Sequence, residues 1–128
     1  MSVVNDPDHV RSFKNNARQR WTFLNEETNA RQANKYYKKN MSLLREMHSK
    51  GIDMKILQPL LYDESDYVRL DAACVLLFFC PEEARAVLEE ISDYKGIMKG
   101  MLGITAEAML AEWQYGNVTF EGMIGLKQ

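Results

Sequence analysis

Scarcity sets the first limits on this chain. Three prolines and seven glycines in 128 residues, with no Ser/Thr-rich or Gln-rich tract, leave no room for a low-complexity arm or a flexible linker. Long apolar runs are missing too. The longest, Ala72 to Cys80, is nine residues, against the roughly 20 that a membrane-spanning helix needs. The opening Met-Ser-Val-Val-Asn-Asp has neither the basic nor the apolar region of a signal peptide, so a cytoplasmic location is expected. There are two cysteines, Cys74 and Cys80. On one predicted helix they lie about 9 Å apart along the axis at 1.5 Å per residue, beyond the roughly 7 Å limit for a disulfide, and they read as small buried apolar residues.

Catalytic and metal-binding motifs are equally scarce. The sequence holds no His-Glu-x-x-His, Gly-rich phosphate loop, Cys-x-x-Cys or nucleophile elbow. Its two histidines, His9 and His48, fall at the start of the first predicted helix and the end of the second. With Asp6 or Asp8 they would make at best a loose acid/base pair, and they are expected instead to be exposed or half-buried helix-end residues. The chain is expected not to be an enzyme and to need no cofactor and no metal.

What is present is helical patterning. The length is close to the mode for one domain, and 46% hydrophobic content suffices for one contiguous core. Asp6-Pro7-Asp8 opens a first helix, along which Val10, Phe13, Ala17, Trp21 and Leu24 form one apolar stripe at three- and four-residue steps. A second helix is predicted from near Glu27 to Lys50, with Ala30, Ala33, Tyr37, Met41, Leu44 and Met47 or His48 inward and Gly51 as the stop. A third, Met54 to Tyr62, should bend at Pro59, which lacks an N–H. The fourth, Asp66 to Cys80, is apolar on nearly every side after Asp71 and must be central. Pro81 begins a fifth, with Ala84, Val87, Leu88, Ile91 and Tyr94 inward, closed by Gly96. A sixth, from about Ile97 to Tyr115, should bury Met98, Met101, Leu102, Thr105, Ala108, Met109 and Trp113, with Gly100 and Gly103 permitting close contact. Residues 117–128 are expected as a tail laid on that last helix.

Within this pattern Leu60-Leu61, Asp63, a short polar turn, Val68-Arg69, Ala72-Ala73 and Leu76 fall in the order of a HEAT-type repeat, which they resemble. With Pro81, Ala84, Val87-Leu88, Ile91, Gly96 and the ending Ala108 to Gly116, residues 53–116 resemble a family of small bacterial HEAT-like helical domains. The resemblance implies an all-α, HEAT/armadillo-like stack of about three hairpins, and one domain over 1–128. Some members of such families look like immunity proteins, antidotes that block the toxin domain of contact-dependent growth inhibition or another polymorphic toxin system. It therefore implies a protein partner, a cognate toxin domain held one-to-one, with a nuclease as the target and the uridylate-specific EndoU kind as one candidate.

Charge supplies the candidate surfaces. Residues 1–50 carry ten Lys/Arg against five Asp/Glu, and residues 51–128 carry six against thirteen, so the halves bear +5 and −7 within a net charge of −2. Such a division suggests a charged partner on one half. The acidic candidate is Tyr62, Asp63, Glu64, Asp66, Tyr67, Asp71, Glu82 and Glu83, carboxylates studded with two tyrosines that would dock a basic protein. Arg69 is expected to pair with one of these acids and order the repeat. Capping and ordinary solvation are the plainer roles for each acid taken singly. The competing candidate is a basic ridge around Lys35, Tyr36, Lys38 and Lys39, with Arg31 and Arg45 beside it, whose cations and aromatics would suit phosphates and bases. An RNA- or DNA-binding adaptor, or a scaffold or regulatory subunit with some other partner, are the alternatives to immunity.

Overall fold

A computed structural model describes residues 6–94, 96 and 100–126. Helix α1 (Asp6–Trp21) runs on into a π-helical turn (Thr22–Glu26), and α2 (Ala30–Ser49) returns beside it. A 3-10 helix (Met54–Tyr62) pairs with α3 (Asp66–Leu76), α4 (Pro81–Ser92) pairs with α5 (Gly100–Gln114), and a short α6 (Phe120–Met123) ends the fold. The described residues are all-helical, without strands. None of their helices is long and apolar enough to cross a membrane.

The pattern of small and apolar residues explains the centre. Helix α3 buries Val68, Leu70, Asp71, Ala72, Ala73, Val75 and Leu76, and it packs on α1, the 3-10 helix, α4 and α5. Ala72 and Ala73, both at zero exposure, let those neighbours come close. Phe13, Ala17 and Trp21 meet this centre from α1, and Ala84, Val87, Leu88 and Ile91 from α4, as their spacing predicts.

Several boundaries differ from the sequence pattern, each for a local reason. Helix α2 begins at Ala30 rather than near Glu27, because Asn29 is its cap: the Asn29 side chain accepts the Gln32 N–H at 3.1 Å. Thr28 just before it sits at φ 48°, a left-handed conformation that a β-branched residue adopts only under constraint. Ala30 is accordingly exposed, and Met47 rather than His48 turns inward. The stop at Gly51 holds, at φ 70°, with Ile52 N–H bonded to Met47 O at 2.9 Å. Instead of standing at a bend in an α-helix, Pro59 lies within a 3-10 helix.

The fourth helix stops at Leu76, four residues short of expectation. Pro81 disfavours helical geometry at Cys80, and Cys80 is the extended cap of α4, at φ −140°. The freed Phe78 and Phe79 close on Phe120, with ring centroids 6.1 and 4.9 Å away. The two cysteines thus sit on different elements, both as free thiols.

The last two elements hold the largest departures. Helix α5 buries Leu102, Gly103 and Ala106, while Met101 and Ala108, expected inside, are exposed, as is Ile104 at 58%. Gly100 has open space around it and does not serve a close approach. Met98, expected inside, lies outside the described residues. The tail does not lie simply on α5. Phe120 also packs edge-on against His48 of α2, centroids 5.8 Å apart, and Arg45 donates to Ile124 O at 2.6 Å.

Candidate protein-binding surface

The eight acidic-patch residues separate into two groups. Tyr62, at the end of the 3-10 helix, is 68% exposed. Its hydroxyl donates to one carboxylate oxygen of Glu83, and Gln58 donates to the other. Glu83 thereby raises the Tyr62 phenol pKa and holds the ring in place. Pro81 at the first turn of α4 fixes where Glu82 and Glu83 emerge, beside Tyr62. Tyr62, Glu82, Glu83 and Glu90 line one shallow groove with Arg69 at its edge, and Glu64 is exposed nearby in sequence.

Arg69 offsets the charge of Glu90 and leaves those of Glu82 and Glu83 in the groove. It forks onto Glu90 at 2.9 and 3.3 Å, donates to Asp66 at 3.1 Å, and reaches back to Leu61 O at 3.1 Å. This ties α3 to the 3-10 helix and to α4, as its place in the repeat pattern suggests. Glu90 raises the Arg69 pKa further, and Arg69 lowers that of Glu90. Glu90 was not singled out from the sequence. The signal was there, since Glu82, Ala86 and Glu90 fall at four-residue steps along one face of α4.

The other members serve the fold. Asp63 pairs with Lys14 at 2.9 Å and accepts the Ser65 N–H at 3.0 Å. Burial opposes its charge, but Lys14 and that backbone bond prevail and its pKa is lowered. Asp66 is held by Arg69. Tyr67 stacks on Trp21, centroids 6.3 Å apart, and donates to Glu26 at 2.6 Å. Asp71 is the clearest correction: it is only 8% exposed and cannot belong to a docking face. Its Oδ1 accepts Arg20 Nη1 at 3.0 Å and Trp21 Nε1 at 2.8 Å. Burial raises its pKa against the pull of Arg20 and Trp21.

No protein-family model, curated protein or solved structure matches the chain. The choice between surfaces therefore rests on geometry.

The charge division of the sequence proves to be partly internal. Lys14 and Arg20 of α1 face Asp63 and Asp71, so opposite charges join the first hairpin to the second. The cations of α2 behave differently. Arg31, Lys35, Lys38 and Lys39 line a shallow surface depression, and none has an ion-pair partner among the described residues. Tyr36 beside them is not an open platform. One face stacks on Phe23, centroids 5.9 Å apart, and Lys39 Nζ lies 4.8 Å from the ring centre.

Of the two histidines, His9 departs from expectation and His48 does not. His9 is fully buried, and its Nε2 lies 3.4 Å from Glu46 Oε2. Lys50 first, and His9 second, lower the Glu46 pKa. His48 is exposed at the end of α2. Among the described residues no group of three or more His, Cys, Asp and Glu is placed to hold a metal ion. Burial pushes the Cys74 thiol up to about 12, away from a reactive thiolate. Asn40 was missed from the sequence. It is buried in α2, where it accepts from Asn16 at 2.9 Å and donates to Phe13 O at 3.1 Å, fastening the first hairpin.

Proposed function

We propose that this protein is a non-catalytic binding module, a HEAT-like stack of helical hairpins, that works as a cytoplasmic immunity protein and occludes a cognate toxin domain in a one-to-one complex. The successive pairing of α1 with α2, the 3-10 helix with α3, and α4 with α5 supports the stack. The observation that carries the functional reading is Tyr62, a mostly exposed aromatic residue pinned by Glu83 within an acidic groove. An exposed ring whose orientation is already fixed loses little entropy on docking and is the side-chain type enriched in binding hot spots. The carboxylates of Glu64, Glu82 and Glu83 would steer a basic surface onto it. A nuclease presents such a surface where its nucleic acid lies, so an acidic partner competes for that place.

The recognition set is accordingly Tyr62, Glu64, Glu82, Glu83 and Glu90, with Asp63, Asp66, Tyr67 and Asp71 supporting the fold beneath it. The test is co-expression with the product of the directly upstream gene. A stable, silenced complex is expected, with association slowed about tenfold or more by Glu82→Lys with Glu83→Lys, in line with the range of electrostatic steering. Undiminished association and protection in that variant would remove the groove from the account.

A second reading is favoured by the unpaired cations of α2. Arg31, Lys35, Lys38 and Lys39 would suit a phosphate backbone, giving nucleic-acid binding that weakens steeply with salt, though with little base stacking because Tyr36 is already covered. Loss of RNA binding on Lys35→Glu with Lys38→Glu and Lys39→Glu would establish it, and absence of binding by the unaltered protein would end it.

A further inference from the structure

Helices α2 and α5 stand apart across a cleft of about 400 Å³ floored by α3, in the size range of small-molecule sites. Its walls are largely apolar. Phe13 and Met41 line one side, Ile104, Ala108 and Met109 the other, and Met123 of α6 also lines it. Methionine side chains of this kind adapt to the shape of an occupant.

Two features give the cleft a chemical preference. Asp71 lines it while its side chain is only 9% exposed. Both of its hydrogen bonds fall on Oδ1. Oδ2 has no protein partner among the described residues, and no buried side-chain oxygen there lacks one, so Oδ2 keeps some accessible surface on a residue that lines the cleft. Arg20, the cation in the same wall, is shared with Asp71. Its Nη1 is bonded to Asp71, and its guanidinium carbon lies 4.6 Å from the Trp21 ring centre and 4.7 Å from that of Tyr37. Glu112 lines the cleft too, with no ion-pair partner among the described residues. Two carboxylates, Asp71 and Glu112, thus stand against the one cation of the cleft, in largely apolar walls.

We propose that the cleft is a ligand site for a small organic cation, an apolar body with a protonated nitrogen that donates to Asp71 Oδ2. A ligand carboxylate would face two carboxylates against one cation already paired with Asp71, whereas a neutral apolar molecule would cover Asp71 Oδ2 without giving it a donor. The site is separate from the Tyr62 groove and does not depend on the immunity reading.

The test is a titration of the full chain, followed by amide chemical shifts, with 2-(2-naphthyl)ethylamine, the corresponding alcohol and 2-naphthylacetate. The amine is expected to shift the amides around Asp71, Thr105 and Ala108 and to bind about tenfold or more tighter than the alcohol, since a charge-assisted bond is roughly twice as strong as a neutral one. Ala108→Trp, at an exposed position on the cleft wall, should abolish binding of the amine while leaving the fold intact. Asp71→Asn, where it folds, should bring the amine down to the level of the alcohol. Equal binding of amine and alcohol, preference for the carboxylate, or saturable shifts that survive Ala108→Trp would each overturn the proposal. Absence of any saturable shift would also overturn it, leaving the cleft to a partner's side chain.

Discussion

Replacing Asp71 by alanine removes an acceptor that α3 offers to two side chains of α1, and its cost can be worked from the contacts. Trp21 is 1% exposed, so its indole N–H would be left without a partner, at about 1–3 kcal/mol. Arg20 would lose its carboxylate as well. Severing a fully buried ion pair costs about 3–5 kcal/mol, but the Arg20 side chain keeps 22% exposure, and water can take over part of the solvation. The expected total is about 3 kcal/mol. Asparagine keeps an oxygen for Trp21, and burial already opposes the charge that it removes, so Asp71→Asn should cost about 1 kcal/mol or less. Both fit within the roughly 5–15 kcal/mol that holds a typical domain folded, so each variant should remain measurable. Urea unfolding followed by far-ultraviolet circular dichroism gives the values. Combining Trp21→Phe with Asp71→Ala should give a clearly non-additive cycle, with coupling of about 1–2 kcal/mol. The pH dependence has a definite sign. A carboxyl whose folded pKa is raised contributes its stability below its unfolded pKa and loses it as pH climbs through the folded value, so Asp71→Asn should remove a fall in stability that begins near the ordinary carboxylate range. A cost below 1 kcal/mol for Asp71→Ala, equal costs for the two variants, or strict additivity with Trp21→Phe would refute the reasoning.

Other perturbations test other parts of the fold. Thr28→Gly should stabilise by about 1 kcal/mol, because glycine carries no penalty at the left-handed φ; a lowered urea midpoint would contradict this. Phe120→Ala should cost about 3 kcal/mol, the lower end for a buried aromatic, since the ring joins the 77–80 corner to the end of α2; a cost near zero would mean that the tail is not part of the core. Asp63 has its pKa lowered in the fold, so its contribution is present above the unfolded value and lost as pH falls through the folded one. Lys14→Met should flatten that acid limb of stability below about pH 4, and an unchanged limb would argue against the pair.

Much of this architecture was legible in the sequence, and the parts that were not share a cause. The stripe of α1, the inward face of α4 and the Gly51 stop follow from local spacing, which the chain obeys. Helix α5 is apolar on several sides, with Met101, Leu102, Ile104, Met109 and Leu110 spread around it. Its periodicity therefore does not choose a buried face, and contact with α4 and α3 does. Asp71 looks like its acidic neighbours when residues are counted. Its burial shows only in its position, three after Val68 and four before Val75, on one inward face of α3. Of the acidic set, Tyr62, Glu82 and Glu83 come together because Pro81 starts α4 beside the end of the 3-10 helix. Asp63 and Tyr67 are drawn inward by Lys14, Trp21 and Glu26, partners supplied by α1 and its π turn, which nothing local to residues 60–77 announces.

The most direct test of the binding account is co-purification of this chain with the product of the gene immediately upstream, followed by assay of that product's activity. The account predicts a one-to-one complex whose partner is silenced, with association that slows as salt is raised and with Glu82→Lys plus Glu83→Lys. No complex, or a complex indifferent to salt and to those charges, would contradict it.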